Sequence, residues 1–339
     1  MPPPEEEPAP ATPPENDDGL TAEERSARIS ALVELERTPI SSFSTEVSVG
    51  TARELFLQLQ NAPLCEQQWA FRGHSHADWT LEPSIERLKK LHEKGFRTDA
   101  EEYVRRTFKR RAHKYLDVVP IDEDELEWLA LMRHYGAPTR LLDWTTSPYV
   151  AAFFATADAE QEAPSAIWAI DARAVKWEAA KILREAGTIE GQETAGVSFS
   201  DPRVFNPVFM GNGTPAIVAP VQPFRTHERM VSQQGLFLCP NSLHFGFELG
   251  LKNVLKRERV SEYFDDEFGQ GDVHVPERLF KLVILPGARS EILRELHRMN
   301  ITYATLFPGL DGFARSLATI VTISEPWSIL SGEDVDVRI

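Results

Sequence analysis

Two stretches of this chain hold charge among residues that would otherwise form a core. The first is Phe71-Arg72-Gly73, which ends the apolar run Gln68-Trp69-Ala70-Phe71. An arginine at the tip of a buried strand aims its guanidinium into a cleft. The glycine after it lets a ligand or another backbone come close. A purely structural arginine, paired to a buried aspartate, would look the same. The second stretch runs from His134 to Pro148, where Arg140 and Asp143 flank Leu141-Leu142. Burying either charge unpaired is very costly, so each must find a partner, in one another or in Arg72. Thr145, Thr146 and Ser147 precede Pro148 at a helix start. Hydroxyls and free N–H groups there suit a phosphate or an amide, though ordinary capping uses the same residues.

Other chemistries fit poorly. Gly211-Asn212-Gly213 lacks the spacing and context of a phosphate loop and reads as a turn. No GxSxG is present. His227-Glu228 begins an HExxH pattern, but Val231 stands where the second histidine belongs. His74, His76 and Asp78 resemble the opening of a dinuclear metallohydrolase, but Trp79 replaces the histidine that should follow. These histidines are read as a site rim, and no metal is expected. Cys65 and Cys239 are far apart in sequence and outside any CxxC, so free buried thiols are expected.

The elements around these residues alternate. A strand is expected within 41–50, followed by a helix from Thr51 with a capping-box Glu54. A long helix over Asp99–Leu116 carries Arg105, Arg106, Lys109, Arg110, Arg111 and Lys114, the only concentrated basic feature. It reads as a solvated face, or else as a patch for phosphate or an acidic partner. A helix from near Asp122 stops at Gly136 and Pro138. Ser147-Pro148 starts an apolar helix. Strands are expected at Ala166–Asp171, Ala216–Val221, Gly235–Cys239 and Leu279–Leu285, with helices over Ser290–Met299 and Gly312–Thr319. Residues 172–214 read as one helix and then a long insertion, and 241–275 as irregular. Few connections are clean βαβ units, which predicts an α+β fold: a single mixed or antiparallel sheet with surrounding helices.

The chain has 339 residues and a net charge of −16, which disfavours nucleic-acid binding except through the basic helix Arg105 to Lys114. Residues 1–18 hold six acidic residues, seven prolines and no Lys or Arg, and read as a disordered tail. Residues 19–44 are expected as an amphipathic helical extension, 45–322 as the folded domain and 323–339 as a C-terminal tail. No apolar run approaches the ~18 to 20 residues of a membrane span, and no secretory leader is evident, so a cytoplasmic location is expected.

The sequence resembles the FRG-domain family, named for an [FY]-R-G motif. Four blocks carry the resemblance: Trp69 through Gly73 with Trp79 and Pro83; Arg133 through Thr145, continuing to Ala155; Arg229 through Gln233 with Gly235 and Phe237; and Leu306 through Gly312. Arg133 stands where the family often has glutamine. The order of these blocks is distantly similar to the ADP-ribosyltransferase plan. That resemblance implies NAD as ligand or substrate. Arg72 would hold its phosphate or ribose and act in catalysis, and Thr145 and Thr146 would orient the nicotinamide side. Arg140 and Asp143 would complete the binding wall, with Tyr149 or Phe237 as a stacking ring. Gln233 would take the late catalytic position, where a neutral amide is a poor substitute for a carboxylate. Glu228 or Asp143 would then serve, or the domain would bind without catalysing. The alternatives are a non-catalytic ligand-binding or sensor module with a structural Arg/Asp network, and a metal-dependent hydrolase or nuclease.

Overall fold

A computed structural model describes residues 22–60, 64, 68–91, 100–160, 162–189, 196–211, 215–256 and 278–323. The segments read as tails at 1–18 and beyond 323, together with Cys65, lie outside the described residues. The chain divides into two units, Met1–Thr38 and Pro39–Ile339. The first contains helix α1 (Ala22–Arg37), whose apolar residues do not gather into the expected stripe.

In the second unit the elements follow in this order: β1 (Thr45–Val49), α2 (Ala52–Gln60), β2 (Trp69–His74), α3 (Ser84–Leu91), α4 (Ala100–Ala112), α5 (Glu125–His134), β3 (Leu142–Thr145), α6 (Pro148–Thr156), β4 (Ser165–Asp171), α7 (Ala172–Glu185), α8 (Pro202–Phe209), β5 (Val218–Val221), α9 (Glu228–Ser232), β6 (Gly235–Pro240), α10 (Phe247–Leu255), β7 (Leu279–Ile284), α11 (Arg289–Arg298), α12 (Tyr303–Leu306) and α13 (Leu310–Ile323). The strands form one seven-stranded sheet in the order β1-β7-β4-β2-β3-β6-β5. β1 and β7 run parallel, and the other pairs are antiparallel. This is the α+β, single mixed-sheet architecture expected from the sequence.

Both faces of the sheet are covered. Side chains alternate along a strand, so Trp69 and Phe71 of β2 enter one core with Ile167 and Ala169 of β4. That core also takes residues of α2, α6 and α11. Ala70 enters the opposite core with Trp168 and Ile170, under α5, α7, α8 and α10. β4 is buried at all seven positions, as a strand covered on both sides must be.

Local signals place the helix starts. Thr51 Oγ1 accepts the Glu54 N–H at 3.1 Å, and the Glu54 carboxylate takes the Gly50 N–H at 2.7 Å. Ser147 accepts from the Val150 N–H at 3.3 Å with Pro148 behind it, starting α6 as its sequence dictates. α6 then lies directly on β2. A Cβ added to Gly73 would fall 2.2 Å from the Ala151 carbonyl oxygen and 2.5 Å from the Ala155 nitrogen. The motif glycine therefore admits another backbone, one of the two options its sequence left open.

Two segments differ from expectation. The insertion expected within 172–214 contains α8, and Phe199, Phe205 and Phe209 are fully buried in the core. Prolines suggested a loop, but Pro202 occupies the tolerated first turn, and Pro207 is accommodated inside the short helix. The irregular stretch expected at 241–275 contains α10, which starts after Gly246 at φ 77° and buries Phe247, Leu251 and Val254.

Candidate functional site: an arginine-lined cleft

β2 is the central strand, and it shares only one registered pair with β3, Phe71 with Thr145. Beyond that pair Arg72 bridges the two strands. Its Nη1 donates to the Asp143 carbonyl at 2.6 Å, and its Nε donates to His74 Nε2 at 3.0 Å. Arg72 and His74 are two residues apart and therefore share a face. Burial lowers the Arg72 pKa to about 10, against the pull of Asp143, with Arg133 and Arg87 adding repulsion. Burial and the Arg72 charge push His74 down to about 3, so it is a neutral acceptor at physiological pH.

The Asp143 carboxylate takes neither expected partner. It is held by Arg133 at the end of α5, whose Nε donates to Oδ2 at 2.8 Å. Burial would raise the Asp143 pKa, but Arg133, Arg72 and Arg229 hold it below the ordinary carboxylate range. Burial works against the Arg133 charge, yet Asp143 overrides it and raises that pKa. The pair is open to solvent, with the Arg133 side chain 25% and the Asp143 side chain 46% exposed.

Arg140 is not part of this cleft. Its side chain is 9% exposed, and its Nε donates to Glu101 Oε2 at 2.7 Å on α4. Its Nη1 also bonds the Phe209 carbonyl. An odd spacing of three residues puts Arg140 and Asp143 on opposite sides of an extended chain. Arg140 is therefore a latch between α4, β3 and α8 rather than a wall of the binding site.

Thr145, Thr146 and Gln233 do meet beside Asp143. The buried Thr145 hydroxyl donates to the Gln233 carbonyl at 2.7 Å and accepts the Ser147 N–H at 3.0 Å. Thr146 is exposed, and its N–H donates to the Gln234 carbonyl at 3.0 Å. The Gln233 amide donates to the Leu306 carbonyl at 3.0 Å. Thr145 and Gln233 are thus engaged in holding β3, α9 and α12 together. Tyr149 faces α2 instead, its hydroxyl taking a hydrogen bond from Gln60 at 3.2 Å and its ring 5.9 Å from Phe56. Phe237 is buried in the core and presents no stacking ring.

Sequence reading missed most of the cations. Arg87 on α3 interacts with Arg133 and Asp143, and burial lowers its pKa. Burial also lowers the pKa of Arg229 on α9, with Arg133 and Arg315 adding to it against the pull of Asp143. Its guanidinium lies over the Phe307 ring, 4.3 Å from the centroid. The His134 and His227 rings meet tilted at 40°, with centroids 3.9 Å apart. Burial and Arg229 lower both, with His134 adding to the effect on His227, which drops to about 4. Four guanidiniums thus interact electrostatically with one carboxylate that is already ion-paired, and Glu82 acts on Arg87 more strongly than Asp143 does. The available signals were the Arg133-His134 and His227-x-Arg229 spacings.

His76 stacks on Trp79 at 6.4 Å, and its Nδ1 lies 4.0 Å from Asp78. Among the described residues no group of three or more His, Cys, Asp or Glu is placed to hold a metal ion. Cys239 is a free buried thiol whose pKa burial pushes up. Among the described residues no helix is long and apolar enough to cross a membrane.

The four sequence blocks therefore converge: Arg72 from the first, Arg133 and Asp143 from the second, Arg229 and Gln233 from the third, Leu306 and Phe307 from the fourth. No curated protein and no solved structure matches the chain. The family model of the FRG domain matches residues 67–163, so the chain carries an FRG domain, and this domain supplies Arg72, Arg87, Arg133 and Asp143 of the cleft.

Proposed function

We propose that the cleft binds a phosphate-bearing nucleotide, with a dinucleotide such as NAD as the ligand class. The observation that carries this is the excess of positive charge: Arg133 holds the partly exposed Asp143 carboxylate, Arg72 bonds the Asp143 carbonyl, and Arg87 and Arg229 act electrostatically on the same carboxylate. Burial is the first cause of the depressed pKa values of Arg72, Arg87 and Arg229, and repulsion from neighbouring guanidiniums adds to it. A bound phosphate or pyrophosphate relieves that repulsion, because each planar fork matches two phosphate oxygens. The neutral histidines beside the arginines add hydrogen-bonding capacity without more charge.

Binding is better supported than glycosyl transfer. An oxocarbenium-like transition state needs a carboxylate free to face it. Asp143 is neutralised by Arg133, and Gln233 spends its amide on Leu306. Glu228 is exposed in the first turn of α9 and is the remaining acid of the ADP-ribosyltransferase-like reading.

Calorimetric titration of NAD and ADP-ribose into the full chain tests the proposal. Saturable binding is expected, weakened roughly tenfold or more by Arg229→Ala. Nicotinamide release should stay at background. Absence of binding by any phosphate-bearing nucleotide overturns the reading. Nicotinamide release that is lost in Glu228→Gln would restore the transferase alternative.

A further inference from the structure

The basic helix anticipated between Arg105 and Lys114 has two different sides. Arg105 and Lys109 are tied to Glu125, Lys109 at 3.1 Å, and Arg106 pairs with Glu102 at 3.6 Å within the helix. Arg110, Arg111 and Lys114 are exposed and make no ion pair among the described residues. Beside them lies an apolar groove of about 570 Å³, lined by Tyr103, Phe108, Arg111, Tyr115 and Tyr135 among others. The three tyrosines are 72%, 82% and 59% exposed, so their rings stand in solvent around one trough rather than completing a core. A cluster of exposed aromatic side chains of this kind marks a contact surface.

We propose that this groove docks an acidic, proline-rich segment of a partner protein in extended polyproline II conformation. Tyrosine-lined troughs accept prolyl rings because a polyproline II chain arrives already ordered and loses little entropy on binding. The partner's charge follows from the rim. In a chain of net charge −16, Arg111 in the groove wall, with exposed Arg110 and Lys114 beside it in sequence, attracts acidic side chains flanking the prolines. A single-stranded nucleic acid could stack on the same rings, but its continuous phosphate charge would meet the strongly negative remainder of the protein. Among the described residues Arg111 is the one charged residue that lines the groove, which offers no track of cations for a phosphate backbone.

The test uses the full chain and a fluorescein-labelled peptide of repeated Pro-Pro-Glu triplets, followed by fluorescence anisotropy. Saturable binding is expected, weakened at least about tenfold by Tyr115→Ala. The double variant Arg111→Glu with Lys114→Glu should weaken it similarly and remove most of its salt dependence. A Pro-Pro-Gln peptide should bind less tightly. Both variants alter exposed side chains, and an unchanged melting temperature confirms that they fold. Three results overturn the proposal: no saturable binding, the same affinity in Tyr115→Ala, or tighter binding of a single-stranded oligonucleotide than of the peptide.

Discussion

Arg72 does two jobs at the residue scale. Its Nη1 closes the gap where β2 and β3 part, and its charge joins a cluster that one carboxylate cannot balance. His74 makes this compatible with burial by accepting from Arg72 while staying neutral. That neutrality sets a pH dependence. The His74 pKa is about 3 in the fold against 6.5 in the unfolded chain, so its contribution is complete above pH 6.5 and is lost as pH falls toward 3. The unfolded chain binds the extra proton in that window, so unfolding free energy must fall with acidification. His74→Gln is expected to remove about 1.5 kcal/mol of the loss between pH 6.5 and 5, measured by urea denaturation at several pH values. Equal slopes in the two proteins would show that His74 is not held neutral. Asp143 also has a lowered pKa, and its contribution disappears only below the ordinary carboxylate range.

The motif's meaning at the scale of elements lies in how β2 receives α6. Phe71 enters the core, Arg72 enters the cleft, and Gly73 takes the α6 backbone. Gly73→Ala would put a methyl group inside that backbone. The expected cost is about 3 kcal/mol or more, read as a lower urea midpoint. A variant as stable as the wild type would refute the close packing. Arg140 belongs to the same scale. Glu101→Gln leaves a buried guanidinium without its counter-charge and should cost about 3 to 5 kcal/mol while leaving nucleotide affinity unchanged. A fall in affinity with stability intact would return Arg140 to the site. Ser147-Pro148, the Thr51 turn and the apolar run of β4 were legible because each depends on neighbours in the sequence. α8 and α10 were not, because their apolar faces have meaning only once the sheet they cover exists.

The whole molecule joins blocks more than two hundred residues apart around one opening in the sheet. The resemblance implied one cleft for Arg72, Arg140, Asp143, Thr145, Thr146, Tyr149 and Gln233; Arg72 bonds the Asp143 carbonyl and Thr145 bonds the Gln233 carbonyl, while Arg140 and Tyr149 lie elsewhere. It did not show that Thr145 and Gln233 would be consumed by holding elements together, since hydrogen-bond partners across β3, α9 and α12 leave no local trace. Nor did it separate Arg140 from Asp143, which sit in one short run yet serve different layers. The cations that complete the cleft come from α3, α5 and α9. Their arrangement is a property of packing, readable only as scattered arginines beforehand.

Together these arginines form the proposed site for phosphate groups. Calorimetric titration of inorganic pyrophosphate into the full chain at several salt concentrations tests it most directly, with Arg72→Gln and Arg133→Gln measured alongside. Saturable binding is expected that weakens steeply with salt and falls roughly tenfold or more in Arg72→Gln, whose melting temperature is followed in parallel. Pyrophosphate binding that is absent, or that is equal in both variants and the wild type, would contradict it.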